Sequence, residues 1–351
     1  MRFSSWLKNW RRLAPSFRRH SPRRRRPDYG PPVEALECRT LLTAYAAATA
    51  AQLVADINAA NKSGGTNTIT LTAPTTSPYI LTNTPDGANG LPVISRKDNL
   101  TIVGNGDTIE RSTAAGTPAF RLFDVAGKGG SLTLENVTLQ NGTADIGGAI
   151  YNQGTLVLNQ VTVQSNRAEG LPAAGGGIWS NGSLTLGNST IRGNVADAAW
   201  SEPAYGGGIY IAGGTANITG STFAGNLAQG LAAYGGAVYV AAGTVTLSGD
   251  ALGMYSATNY VPGNVAEGYG IQPGDNGYGG AVYVAGGSVT LTNDYIEGNT
   301  ASDYQGTAYL GPEGGGIFIA SGATVYLDSF TYGAMTGNSP DNVWGAYILL
   351  P

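Results

Sequence analysis

The chain is constrained most by a phrase that it writes six times. Gly147-Gly148-Ala149-Ile150-Tyr151 returns as Gly175-Gly176-Gly177-Ile178-Trp179, Gly206-Gly207-Gly208-Ile209-Tyr210, Gly235-Gly236-Ala237-Val238-Tyr239, Gly279-Gly280-Ala281-Val282-Tyr283 and Gly314-Gly315-Gly316-Ile317-Phe318. The first glycines of successive copies lie 28, 31, 29, 44 and 35 residues apart. Self-similarity at such a period marks a repeat architecture, in which each unit buries its apolar face only by stacking on the next. The paired glycines suit a corner, because glycine takes positive φ and lets two backbones approach closely. A phosphate-cradling loop is excluded, since neither a Lys-Ser/Thr ending nor a Gly-x-Gly-x-x-Gly spacing accompanies the phrase.

Each unit from residue 147 onward contains three strand-like pieces. The pentapeptide is the first. The second is an alternating apolar pair, seen as Leu156/Leu158, Leu184/Leu186, Ala216/Ile218, Val245/Leu247, Val289/Leu291 and Val325/Leu327. The third ends in apolar-x-x-Asn: Val163/Asn166, Ile191/Asn194, Phe223/Asn226, Val261/Asn264, Ile296/Asn299 and Met335/Asn338. Short alternating runs broken by Gly, Asn, Asp and Pro already occur at 68–71, 100–103, 120–123 and 131–134. Alternation is the strand signal. Three strands per unit predict an all-β fold, a right-handed parallel β-helix with three sheets around one core, whose six regular coils add about 30 Å of axis. Equivalent asparagines in one corner can stack as a hydrogen-bonded ladder or serve a tight turn, with ligand contact as the alternative. Leu53, Val54 and Ile57, with Gly64-Gly65 beyond, predict a short amphipathic helix capping the first coil; no helical period follows residue 61. The constant rung and variable spacing place any specificity in the loops after each Asn.

Charge divides the chain. Residues 1–39 hold eleven of the 19 Lys and Arg, including Arg23-Arg24-Arg25-Arg26, against three acids. The remainder holds eight basic and twenty acidic residues, and no Lys or Arg follows Arg192. Such a body has little with which to neutralise phosphates, which argues against nucleic acid as a partner. The basic run, a Pro-rich spacer and a short apolar stretch before Ala44 read as a targeting segment, or else as a basic tail for acidic surfaces. The domain reading is therefore 1–44 targeting, 45–65 capping helix and 66–351 β-helix, with regular repeats over 147–342. No transmembrane helix is expected. The only Cys, Cys38, and the only His, His20, both lie in the first segment.

Leu36-Glu37-Cys38-Arg39-Thr40-Leu41-Leu42 followed by Thr43-Ala44 resembles the LEPR-XLL segment of exported planctomycete proteins, with Cys38 standing where that family has Pro. The Gly-Gly-Ala-Ile and apolar-x-x-Asn units resemble the repeats of polymorphic membrane proteins over about residues 147–342. These resemblances imply export and a β-helix displayed at the cell surface. In the second family an autotransporter barrel follows the repeats.

Chemistry is bounded by residue type. Without His or Cys in the body, Ser-His and Cys-His catalysis and zinc sites have no candidates there. No residue is assigned a catalytic or metal-binding role. Calcium could bridge loop carboxylates, although no Asp-x-Asp-x-Asp-Gly spacing is present. A carboxylate pair of the glycoside hydrolase kind remains open. The loops after each Asn carry Glu169, Asp197, Glu202, Glu267, Asp275, Asp303 and Glu313, together with Trp200, Tyr205, Tyr234, Tyr269, Tyr278, Tyr304 and Tyr309. A repeat puts such loops on one side, which predicts an aromatic and acidic strip. Its candidate ligand-binding set is Trp200, Tyr205, Tyr234, Tyr269, Tyr278, Tyr304, Tyr309, Glu202, Asp275 and Asp303. The alternative is that the acids keep a Gly-rich surface soluble while Tyr fills gaps. The expectation is an exported surface scaffold or adhesin for polysaccharide or envelope components, with a carbohydrate-active enzyme as the runner-up. Self-association is expected at the last rung, near Tyr347-Ile348-Leu349-Leu350, where strand edges are open.

Overall fold

Alternating apolar residues become strands because one face of each finds a core. The computed structural model describes residues 43–199, 201–253, 262–270, 275–304, 311 and 313–351. Leu156, Leu158, Leu184, Leu186, Ile218, Val245, Leu247, Val289 and Leu291 are all buried, and their odd-numbered or even-numbered neighbours face outward. Strands carrying them stack in register, Leu156 on Leu184 and Leu158 on Leu186, as part of an eleven-stranded sheet running from Thr43–Ala47 to Ile348–Leu349, here sheet I. Sheet II has eight strands, from Tyr79–Leu81 to Tyr295–Glu297. Sheet III, built from the pentapeptides, also has eight, from Phe123–Val125 to Val343–Trp344. All the strand pairings are parallel, each strand meeting its equivalent one coil away, as in Ile150 on Ile178 on Ile209. The fold is a parallel β-helix, for which the handedness preference of parallel crossovers favours the right hand.

Both glycines of the pentapeptide are needed. Gly147, Gly175, Gly206, Gly235, Gly279 and Gly314 all have φ between 59° and 68°. At the second glycine a Cβ would overlap backbone of the next coil, as at Gly176 against the Gly207 carbonyl. The asparagines form a continuous ladder. Each of Asn166, Asn194, Asn226, Asn264 and Asn299 donates its side-chain amide to the Oδ1 of the next, at 2.8–3.0 Å, and its backbone N–H to the same oxygen. The other amide hydrogen goes to a strand carbonyl, so these buried groups are satisfied.

The capping helix, α1, is Ala50–Ser63. Thr49 caps it, accepting from the Gln52 N–H, and Gly64 ends it with φ 61°. Leu53, Ile57 and Ala60 are buried in the main core. The strand Thr43–Ala47 pairs with Gly65–Leu71 in sheet I, so the chain enters the β-helix before residue 45 and the helix leaves from it.

Three expectations are corrected. The coil has five strands where three were expected: beyond each Asn a six-stranded narrow sheet runs from Thr143–Ala144 to Thr300–Asp303, and a four-stranded one comprises Ala173–Ala174, Ala204–Tyr205, Ala233–Tyr234 and Gly277–Tyr278. Alanines hold these together in a second small core of Ala168, Ala173, Ala196, Ala198, Ala204, Ala228, Ala233 and Ala266. In the 44-residue unit the sheet II core position belongs to Leu252, stacked between Phe223 and Ile296; Val261 lies outside the described residues, and the extra chain there precedes Asn264. A second helix, α2, spans Ser329–Ala334, capped by Asp328 accepting from the Thr331 N–H at 2.7 Å. Six residues are too few to show a period in sequence. It packs beside Tyr295–Glu297, the last strand of sheet II.

Candidate functional site

In sheet III each strand that comes from a pentapeptide turns its Ile or Val inward and its aromatic residue outward. Exact register then stacks the rings: Tyr151 on Trp179 at 4.5 Å, Trp179 on Tyr210 at 6.2 Å, Tyr210 on Tyr239 at 5.0 Å, Tyr239 on Tyr283 at 5.3 Å and Tyr283 on Phe318 at 4.9 Å. The four-stranded sheet supplies a second column, Tyr205 on Tyr234 at 5.2 Å and Tyr234 on Tyr278 at 5.5 Å. The Gly-Gly corner lies between the two strands, and the columns stand side by side. Rings of one meet rings of the other edge to face, as Tyr205–Tyr239 and Tyr234–Tyr283, both at 4.9 Å.

This packing decides what the surface can offer. Ring faces are covered by the rings above and below, so the strip presents ring edges and phenol hydroxyls. Partial burial raises the phenol pKa values throughout: Tyr283 is pushed up to about 12, with Tyr278 and Tyr205 adding to the effect of burial. Tyr234 and Tyr239 go higher still, for the same cause. Carboxylates lie alongside. Glu202 acts on Tyr205, Asp275 on Tyr234, and Glu313, which bridges to Tyr278 in the strand register, continues the second column. At the other end the Arg121 guanidinium sits over Tyr151, 5.1 Å from the ring centre, and donates to Asn89 Oδ1 and the Ile146 carbonyl.

The structure brings Tyr205, Tyr234 and Tyr278 together, with Glu202 and Asp275 beside them. It separates Tyr269 and Tyr304, which form their own edge-to-face pair at 5.2 Å at the ends of the narrow strands Val265–Gly268 and Thr300–Asp303. Tyr269 donates to Gln229 Oε1 at 2.9 Å, and burial beside Glu267 pushes its phenol up to about 12. Asp303 is in register with Gly268 on this second group. Trp200 and Tyr309 lie outside the described residues. The single strip expected from the repeat is therefore two groups, on the four-stranded and six-stranded sheets. Sequence reasoning missed the larger column, Tyr151, Trp179, Tyr210, Tyr239, Tyr283 and Phe318. Its signal was alternation inside the pentapeptide, where the residue after a buried Ile or Val must point out.

The remaining carboxylates have protein partners. Arg167 bridges Glu169 at 2.6 Å and Asp197, which also accepts from Gln229 at 2.7 Å. A polar column at the corner between sheets I and II was not foreseen: the backbone N–H groups of Ser189, Ser221, Asp250 and Asp294 donate in turn to Ser221 Oγ, Asp250 Oδ1, Asp294 Oδ1 and Thr331 Oγ1. Burial pushes the Asp250 carboxyl up to about 6 and that of Asp294 to about 8. Among the described residues no group of three or more His, Cys, Asp and Glu is placed to hold a metal ion, and no helix is long and apolar enough to cross a membrane. Compared with models of known protein families, with curated proteins and with solved structures, the chain matches none.

Proposed function

We propose that the chain is an exported β-helix of the cell surface or envelope, a non-enzymatic scaffold that holds polysaccharide along its aromatic and acidic strip. One observation supports this above others: two columns of phenol edges run in register along the axis with carboxylates beside them. Phenols donate and accept, carboxylates accept, and sugar hydroxyls do both. Contacts repeated coil after coil add, so individually weak ones suffice for a polymer. Export rests on the basic run and on residues 36–44, with their resemblance to the LEPR-XLL segment; kinship with polymorphic-membrane-protein repeats rests on the Gly-Gly and Asn motifs. A further contact, with another copy of the chain, is offered by Trp344, Tyr347, Ile348 and Leu349, each between 37% and 53% exposed.

The test is binding of the full chain to a glycan array and to insoluble polysaccharides, against a variant carrying Tyr234→Phe, Tyr239→Phe and Tyr283→Phe. That variant keeps the stacks and removes three hydroxyls. An affinity loss of about tenfold or more is expected. Absent or unchanged binding overturns the reading, and release of reducing ends favours the glycoside hydrolase alternative.

A further inference from the structure

A different face, that of sheet I, is set apart from the aromatic strip by its side chains. Along sheet I the outward positions of successive strands are short and hydroxylated. One column reads Thr155, Ser183, Thr215, Thr244, Ser288 and Thr324, in unbroken register. Two residues along each strand a second column includes Thr185, Asn217, Thr246 and Thr290, and a third includes Thr219, Ser248 and Thr292. Over these four coils, Ser183–Gly187 to Ser288–Thr292, no outward side chain is charged and none is aromatic.

Three features make this more than a polar surface. Coils repeat at about 4.8 Å and alternate residues at about 6.7 Å, which is a two-dimensional lattice of hydroxyls. Threonine is stiff at χ1, so the lattice is ordered before anything binds. Among the described residues the connections beside it are short: two residues separate sheet I from sheet II in each of these coils, and two or three separate it from sheet III. The outer faces of sheets II and III differ, one carrying Glu110, Gln140, Gln164 and Arg192 in a side-chain chain, the other the aromatic column.

We propose that this face of sheet I binds the surface of ice. An uncharged lattice complements an uncharged one, and its coil spacing lies close to the shorter oxygen repeat on a prism face of hexagonal ice, with the alternate-residue spacing somewhat below the longer one. Threonine hydroxyls can take lattice positions while the methyl groups shed disordered water. A soluble sugar chain would be gripped by aromatic or longer polar side chains, which the face lacks.

The test freezes a solution of the full chain slowly onto a seeded ice shell and compares protein in ice and liquid, with thermal hysteresis measured in parallel. The wild type should be enriched in ice and should shape growing crystals. Thr185→Lys with Thr246→Lys should reduce enrichment to that of an inert solute, while Thr222→Lys, on the outer face of sheet II, should leave it unchanged; unaltered circular dichroism and melting midpoint show that the variants fold. A wild type rejected by ice as an inert solute is, or enrichment that survives both lysines, overturns the proposal. So does retention on crystalline cellulose or chitin that the two lysines abolish while ice behaviour does not change. The three phenylalanine substitutions in the aromatic strip should not alter ice enrichment, so the two readings fail separately.

Discussion

Asn226 shows how much a single residue carries in this fold. It accepts from the backbone and side-chain amides of Asn194 and donates to Asn264 and to the Ile191 carbonyl, all in the buried corner. Asn226→Ala leaves several of these groups without partners, at a cost of about 2–4 kcal/mol. A lowered midpoint in urea, with the slope retained, is the expected result. Asp294 makes a prediction of another kind. Its folded carboxyl titrates at about 8 against an ordinary 3.8, because burial disfavours the charge. The folded chain therefore holds this proton after the unfolded chain has lost it. The stability it contributes is fully present below the ordinary value and falls as pH rises toward 8. Asp294→Asn, which keeps the Oδ1 acceptor for the Asp250 N–H, should flatten that decline in denaturation midpoints measured between pH 4 and 8. The asparagine ladder was legible in the sequence because the same residue recurs at the same offset. The Ser189-to-Thr331 column was not, because Ser, Asp and Thr perform one task there and no repeated letter marks it.

At the scale of elements, the aromatic columns show that a repeated phrase encodes a stack as well as a corner. Tyr239 lies between Tyr210 and Tyr283 and takes the Tyr205 ring against its flank. Each such pair contributes about 0.5–1.5 kcal/mol beyond area burial, so Tyr239→Ala should cost about 2 kcal/mol or more, whereas Tyr239→Phe should be nearly neutral in thermal melting. A large loss from the phenylalanine variant would mean that the hydroxyl, rather than the stack, holds the column. The three wide sheets were legible because the apolar positions recur at the same offset in every unit, with a five-residue alternation in most sheet I strands and a three-residue one in most strands of sheets II and III. The narrow sheets were hidden, since Arg167–Ala168 or Ala173–Ala174 is too short to alternate and alanine is a weak strand signal. That omission merged two aromatic groups into one expected strip, and only the strand register separates Tyr269 and Tyr304 from Tyr205, Tyr234 and Tyr278.

Among the described residues, the β-helix is a stack whose first coil is covered by a helix. α1 lays Leu53 and Ile57 over the first coil, and eleven strands of sheet I at about 4.8 Å extend the stack to roughly 48 Å. The last coil is treated differently. Val343–Trp344 and Ile348–Leu349 form the outer strands of sheets III and I, with Trp344 46%, Ile348 50% and Leu349 53% exposed. An outer strand presents one row of unpaired backbone groups, and these apolar side chains surround it, so a second molecule can add its own strands there. Sedimentation of the 351-residue chain should accordingly show a mass that rises with concentration. Ile348→Lys with Leu349→Lys places charge on the strand and should hold the protein at monomer mass without lowering its melting midpoint, because both side chains are half in solvent already. A wild type that remains monomeric at every concentration would falsify the association, and a variant that still associates would move the contact to another face.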